Sequence, residues 1–470
     1  MLYFQDTFSA EGAWWLPETP DHRVSGTLSF DPDVGVSLAL SGMLRQLADA
    51  FADAAEEDVT IHGITNKGQL ISLFECLNQS RTLNFPGFGT ETYHANVAAA
   101  GLHFSNSDEP LFLKSYFRFD GIEKWLGEKP FDSGFDFDTR IMSITSRTSN
   151  EELLVTAVDQ ELSISTTMRT QPKSDIEIAL ISEITLVATP HEPKSLNWHM
   201  DNAWKIQRLA SLCMGCHLPS QTLRLKGPVE RVGQNRERAV TVDVLTSMMF
   251  PSGNRRSGDL PVISARELIS ACSDALTNWL DQFDTLGAVL NLLTTVVADK
   301  SMFVNVRFLL AIQALEAFHR TIQPSPLMDE ADHNALQAAL VSAIPASTSK
   351  EMTEKLRTTL RFTNEPSLRQ RLRTLFKDMQ ERFGDSAPKF NVKNFIGSVV
   401  DTRNYYTHYV AELEENSLDP SGLQYESERI SMILTVLFLE RLGVPAEKIA
   451  ENLGRHRTFE RLWSEDVAHY

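Results

Sequence analysis

The residues Asp401-Thr402-Arg403-Asn404-Tyr405-Tyr406-Thr407-His408-Tyr409 gather an arginine, an amide, a histidine and three tyrosines inside a segment that otherwise reads as helix. On a helix Asn404 and His408, four apart, share a face, and Arg403 and Thr407 form the neighbouring column. Arg403 and His408 are five apart, about 140° around the axis at 3.6 residues per turn. They serve one site only if the helix begins or bends here, or if a second copy of the chain completes the site. These residue types suit cleavage of RNA without a metal. Attack of a ribose 2′-hydroxyl on the adjoining phosphate needs a base near neutral pKa, a fixed cation for the phosphorane and an acid for the leaving oxygen. Histidine performs both proton roles near pH 7, and arginine offers a permanently charged fork matched to phosphate oxygens. One His and one Arg are sparse for this work, whereas two chains about a two-fold axis supply a pair of each.

Two regions must position these residues. Up to about Val187 the apolar pattern has period two. Val24–Phe30 and Val36–Leu40 flank the turn Asp31–Gly35, and Val59–Thr65 and Gln69–Glu75 flank Asn66–Gly68. Further strands are expected at Thr92–Val97, Phe112–Phe119, Ile141–Ser146, Leu153–Val158, Leu162–Met168 and Ile176–Val187, with a short helix at Leu44–Ala55. Strands at this spacing without regular intervening helices predict an antiparallel sandwich or barrel. Trp14, Trp15 and Trp125 fit either its core or a ligand groove. Ser195–Leu212 reads as helix, Gln221–Leu225 and Ala239–Leu245 as strands, and Pro251–Gly258, with Arg255 and Arg256, as a polar loop.

From Ser264 the period changes to 3.6, with Ser264 and Glu267 spelling a capping box. Helices are expected at Ser264–Asp299, Phe303–Ile322, Asp329–Val341, Ser349–Arg361, Pro366–Phe383, Lys393–Leu413 and Glu426–Leu442, with a last piece after Pro445 and a loop at Asp419–Gly422. The reading is an α+β multidomain chain: a β-rich domain over residues 1–285 and an all-α bundle over 286–470.

The chain has 470 residues, 44 Lys and Arg against 62 Asp and Glu, and a net charge of −18. That argues against a general nucleic-acid coat, since phosphate binding relies on clustered cations. From Leu290 onward 21 basic residues face 24 acidic ones, a net of −3, so the remaining −15 lies in the front part. The nearly balanced back part holds Arg369, Arg371, Arg373 and Lys377, read as a solvated helix face or as a rim that tracks an RNA backbone. Four cysteines are too few for a disulfide scaffold. Cys213-Met-Gly-Cys216-His217 has the spelling of a haem attachment, yet no export signal precedes it and zinc lacks a second pair; an incidental helix end is the expected reading, with no cofactor and no metal. No apolar run reaches the length of a membrane span, and with no secretory signal the expected location is cytoplasmic.

Arg403-Asn404-Tyr405-Tyr406-Thr407-His408 resembles the R-x(4–6)-H signature of HEPN domains, in which a polar residue often follows the arginine. The helix Phe308–Arg320 resembles the first helix of the ApeA-type branch of these domains, and Gly12–Pro17 with Gly26–Phe30 resembles the start of the ApeA N-terminal domain. The three matches stand in the family's order and touch both ends of the chain. The resemblance implies a metal-independent endoribonuclease of anti-phage defence, acting as a homodimer or higher homo-oligomer on RNA, tRNA among the candidates, once a phage-derived trigger appears. It implies His408 as general acid or base, Arg403 as the holder of the scissile phosphate and Asn404 as a hydrogen-bond partner to either. Glu316 and His319, from the neighbouring helix, then support Arg403 or form a plain polar stripe; Tyr405, Tyr406 and Tyr409 stack bases or pack. The alternatives are a non-catalytic RNA- or nucleotide-binding sensor with a HEPN dimerisation bundle, and a carbohydrate- or peptide-binding β-domain using Trp14 or Trp15.

Overall fold

The computed structural model describes residues 6–464 except 46–57, 85, 175–176, 233–235, 247–260, 299–300 and 410. The chain divides into two compact units, residues 1–277 and 278–470.

The first unit begins with β1 (Phe8–Trp15), β2 (Val24–Asp31), β3 (Gly35–Leu40), β4 (Val59–Thr65), β5 (Leu70–Thr82) and β6 (Thr90–Ala100). All pair antiparallel in the order β6-β3-β2-β1-β4-β5, and β5 returns to pair with β6, so the six close into a barrel. Closure removes the free edges that an open sheet would expose. Inward positions alternate as the period-two reading requires: Val24, Leu28 and Phe30 on β2, and Val36, Leu38 and Leu40 around them, are buried. The Asp31–Gly35 turn is held by the Asp31 carboxylate accepting from the Asp33 N–H at 2.9 Å, with Gly35 at φ 93°.

Strand β1 was not expected from periodicity. Trp14 lies at its end, fully buried, with its indole N–H donating to the Gly26 carbonyl at 3.1 Å. It packs flat against Gly63 of β4, where any Cβ would land inside the indole. Trp14 is thereby a core residue and lines no groove. Trp15 is also buried, with Arg23 over its ring at 4.4 Å.

Beyond Ala100 the chain adds β7 (Lys114–Phe119), helix α1 (Ile122–Leu126), a ribbon of β8 (Phe131–Asp136) and β9 (Ile141–Ser146), then β10 (Ser149–Thr156), β11 (Gln160–Ser174), β12 (Glu177–Pro190), helix α2 (Leu196–Met214), β13 (Ser220–Val232) and β14 (Arg236–Thr246). Six of these extend the barrel sheet as β10-β11-β12-β7-β13-β14-β6. Strand β6 serves both parts on one edge: Glu91–Ala95 pairs with β3, and Val97–Ala100 pairs with β14. Helix α2 packs on β7 and β13. Its end explains the haem-like spelling: Cys213 is buried, which pushes its thiol up to about 12, and Gly215 closes the helix in the left-handed region. All four cysteines are free thiols. The expected helix at Leu44–Ala55 falls largely outside the described residues, as does the Pro251–Gly258 loop with Arg255 and Arg256.

His199 of α2 is fully buried, and its Nε2 bonds the Phe112 carbonyl at 3.3 Å. Burial holds its imidazole down to about 4, with the Lys194 charge acting in the same direction. An unfolded chain takes up this proton near pH 6.5, whereas the folded chain resists it until about 4. Stability is therefore undiminished above pH 6.5 and falls as pH drops through this window, by roughly 3 kcal/mol at its acid end. Urea unfolding at pH 7, 5.5 and 4.5 checks this: His199→Leu is expected to flatten the acid-side loss relative to the parent.

The helices that follow are α3 (Ala265–Ala271), α4 (Ala275–Ala298), α5 (Val304–Ile322), α6 (Glu330–Ser342), α7 (Lys350–Arg361), α8 (Leu368–Phe383), α9 (Val392–His408), α10 (Pro420–Arg441), α11 (Ala446–Gly454) and α12 (Arg457–Ser464). The expected capping box at Ser264 and Glu267 is formed. The single helix expected over Ser264–Asp299 is two, because Cys272 takes an extended backbone and Ser273 and Asp274 favour a restart over continuation. Asp419–Gly422, expected as a loop, begins α10: the Asp419 carboxylate accepts from the Gly422 N–H at 2.8 Å and Pro420 takes the first helical position, where its missing N–H costs nothing. In the second unit α5 and α10 form the central pair, burying Phe308, Ile312, Leu315 and Phe318 against Ile430, Ile433, Leu437 and Phe438. The Phe318 and Phe438 rings meet edge to face at 5.1 Å. Helix α9 packs on α8 and α5 through Phe395, Ile396 and Val399.

Candidate functional site

Helix α9 is regular to His408, and Tyr409 caps it in the left-handed region at φ 51°. The expected continuation to Leu413 is replaced by a 3-10 segment, Ala411–Asn416. Thr407 donates to the Arg403 carbonyl at 2.7 Å and the Tyr409 N–H to the Tyr405 carbonyl at 2.6 Å, so the last turn carries no bend. Arg403 and His408 consequently diverge by about 140° on one helix. Thr402, fully buried, ties the returning chain to α9 by accepting from the Leu418 N–H at 3.0 Å.

Arg403 reaches across to α5, with Nη2 at 3.8 Å from Glu316 Oε2, and its Nη1 donates to Asn404 Oδ1 at 3.3 Å. Glu316 also holds Arg320 at 3.3 Å, Arg320 holds Glu365 at 3.1 Å, and Glu365 pairs with Arg371 at 3.4 Å. Arg403 is thus the half-buried outer end of a chain of alternating charges that ends inside the bundle at Arg371. His408 is exposed, and its ring makes no hydrogen bond or ion pair among the described residues. Tyr409 is 72% exposed, with its ring 6.0 Å from that of Tyr405, which in turn contacts Tyr406 at 5.0 Å. The tyrosines therefore form a surface cluster and leave the bundle core to Phe395 and Val399.

His319 does not join this group. It is buried on α5 beside Arg371, and burial first, then the Arg371 charge, hold its imidazole below the ordinary value. Arg371 itself is only 3% exposed. It was expected on a common basic rim with Arg369, Arg373 and Lys377, but a two-residue step turns about 200° around a helix, so it faces the interior while the other three face outward. Those three line a cleft of about 790 Å³ between α8 and α9. Arg369 is bound there to Asp401 at 2.8 Å. Periodicity missed Arg320, Glu365 and Asp401; Arg320 alone carried a signal, its four-residue spacing from Glu316.

A family model described as ApeA N-terminal domain 1 matches residues 9–260, and one described as Apea-like HEPN matches residues 309–448. Comparison with curated proteins and with solved structures yields no match. The HEPN match runs from within α5 to the first turn of α11 and includes Arg403, Asn404 and His408. HEPN domains are generally associated with RNase activity, typically dimerise and bind RNA. No helix among the described residues is long and apolar enough to cross a membrane. A barrel-bearing ApeA N-terminal domain followed by a helical ApeA-like HEPN region, in that order and over most of the length, makes this chain a member of the ApeA-like HEPN family.

Proposed function

We propose that this chain is a metal-independent endoribonuclease of anti-phage defence, cutting RNA by 2′-hydroxyl attack with Arg403 and His408 paired across a homodimer. The observation that carries the reading is the regular helix between these two residues. It supports pairing between chains: with no bend to bring the two side chains together on one helix, a second copy can bring an arginine of one chain to a histidine of the other. Arg403 grips the phosphate undergoing attack and stabilises its developing charge. One His408 takes the 2′-hydroxyl proton and the other protonates the departing 5′ oxygen, so the base and the acid come from the two chains. Asn404 hydrogen-bonds a phosphate oxygen from the turn that carries Arg403. The N-terminal barrel unit receives the phage cue or restrains the nuclease until it arrives.

End-group analysis of RNA cut in the presence of EDTA tests the mechanism. The expected products carry 2′,3′-cyclic phosphate and 5′-hydroxyl ends; 3′-hydroxyl and 5′-phosphate ends overturn it. Glu316 orients Arg403 on this reading without touching RNA. A half-buried surface pair at the long distance of 3.8 Å contributes only about 0.2–1 kcal/mol to stability. Glu316→Gln is accordingly expected to slow cutting by about tenfold, the scale of a lost supporting contact, while the melting temperature stays put. Unchanged cutting removes Glu316 from the site.

A further inference from the structure

We propose that the cleft between α8 and α9 seats the sugar-phosphate backbone of a single-stranded RNA and leads it toward the end of α9 that carries His408. Against a chain of net charge −18, this cleft presents four cations and a single carboxylate, Asp401. Arg369, Arg373 and Lys377 stand four apart on α8, giving steps of about 6 Å along one face, close to the spacing of neighbouring phosphates in a strand. Lys393 faces them from α9. Arg373 and Lys393 are exposed and form no ion pair among the described residues, and Lys377 is 76% exposed with only Glu381 at 3.8 Å. Their charge is available to a ligand.

Gly397 is the independent observation. It lies in the middle of α9 and lines the cleft, yet a Cβ there would meet no atom within 4 Å. Glycine inside a helix is destabilising relative to alanine, and packing does not require it here. What its missing side chain provides is bare helix backbone, on which a phosphate or sugar can lie closely. The first turn of α9, at Lys393, adds the positive end of the helix dipole. A cleft of about 790 Å³ accommodates a short length of single strand. Cationic grooves that track one strand are the general solution for such binding. Asp401 closes the cleft, and His408 stands seven residues further along α9, within about 20° around its axis, so the strand leaves the cleft on the side of the proposed catalytic histidine. Only that last step rests on the nuclease reading.

Binding is measured by fluorescence anisotropy with a labelled single-stranded RNA of about 12 nucleotides, using full-length His408→Ala protein so that cutting does not interfere. Arg373→Glu/Lys377→Glu is expected to weaken binding by about tenfold or more and to reduce the slope of log K against log salt by about 1.4. Gly397→Leu is expected to weaken binding while the melting temperature holds or rises, a combination that a purely structural role does not give. Lys355→Glu, exposed on α7 outside the cleft, should change neither. The proposal is overturned if the double reversal weakens binding no more than Lys355→Glu, if the parent binds no strand, if a duplex of equal length binds as well, or if ATP competes as well as the strand. Cleft-dependent binding without cutting by wild type, alone or in phage-infected lysate, removes the nuclease and keeps the cleft. Undiminished cutting by Arg373→Glu/Lys377→Glu does the reverse.

Discussion

His408→Ala is expected to lower cleavage of labelled total RNA in EDTA by about 10²–10⁴-fold, the contribution of a positioned proton-transfer group. The fold should not notice the change. His408 is the last helical residue, exposed and without a hydrogen bond to any described side chain, and exposed substitutions of this kind stay within about 0.5 kcal/mol. A lost activity with an unchanged melting curve therefore reports chemistry. The homodimer sharpens the prediction, because a two-fold site loses its base and its acid together in one substitution. If wild type and variant cut equally, the site lies elsewhere. If neither cuts alone, the pair is repeated in phage-infected lysate, and a second blank assigns the bundle to a non-catalytic sensor.

Arg429→Ala is expected to cost about 3–5 kcal/mol and to lower the melting temperature of the helical unit by about 10 °C. Arg429 of α10 is 1% exposed and completes three contacts: Nη1 to Glu426 at 2.8 Å, Nε to the Leu462 carbonyl at 2.9 Å, and Nη2 to the Tyr425 hydroxyl at 3.2 Å. Its guanidinium also lies 4.2 Å from the Phe390 ring centroid. Truncation takes away the guanidinium that pairs with the Glu426 carboxylate, itself 2% exposed. The largest part of the loss is the cost of keeping that carboxylate buried without the arginine. Arg429→Met with Glu426→Gln should consequently recover much of it, as urea unfolding of the single and double variants will read. A loss below about 1 kcal/mol for Arg429→Ala would show that water or a neighbour replaces the pair. The same arginine docks α12 through Leu462, whose neighbour Trp463 donates to the Ser386 carbonyl at 3.0 Å. Release of α12 should therefore accompany the loss and be visible as faster amide exchange at its backbone.

Local pattern and tertiary structure divide the credit for the site unevenly. Arg403, Asn404 and His408 were legible because a helix period and three residue types suffice to put them on one segment. The helix end was not: Val410 and Leu413 continue the apolar period, and a tyrosine in the left-handed region at position 409 is held by its surroundings rather than announced by its type. Arg371 was misjudged for a different reason. Composition groups it with Arg369, Arg373 and Lys377, but a helix separates neighbours two apart onto opposite sides, and the interior received it together with His319.

The sequence by itself determined the two classes of element, their order, the 3.6-residue bundle that carries Arg403 and His408, and most strand positions, since each depends on contacts between residues close in the chain. It did not determine that β5 returns to β6 to close a barrel around Trp14, that Glu316 reaches Arg403, or that Lys393 and Gly397 face Arg373 across a cleft. Those arrangements join residues distant in sequence, and only the packing of one element's apolar face on another sets which polar side chains are left to meet.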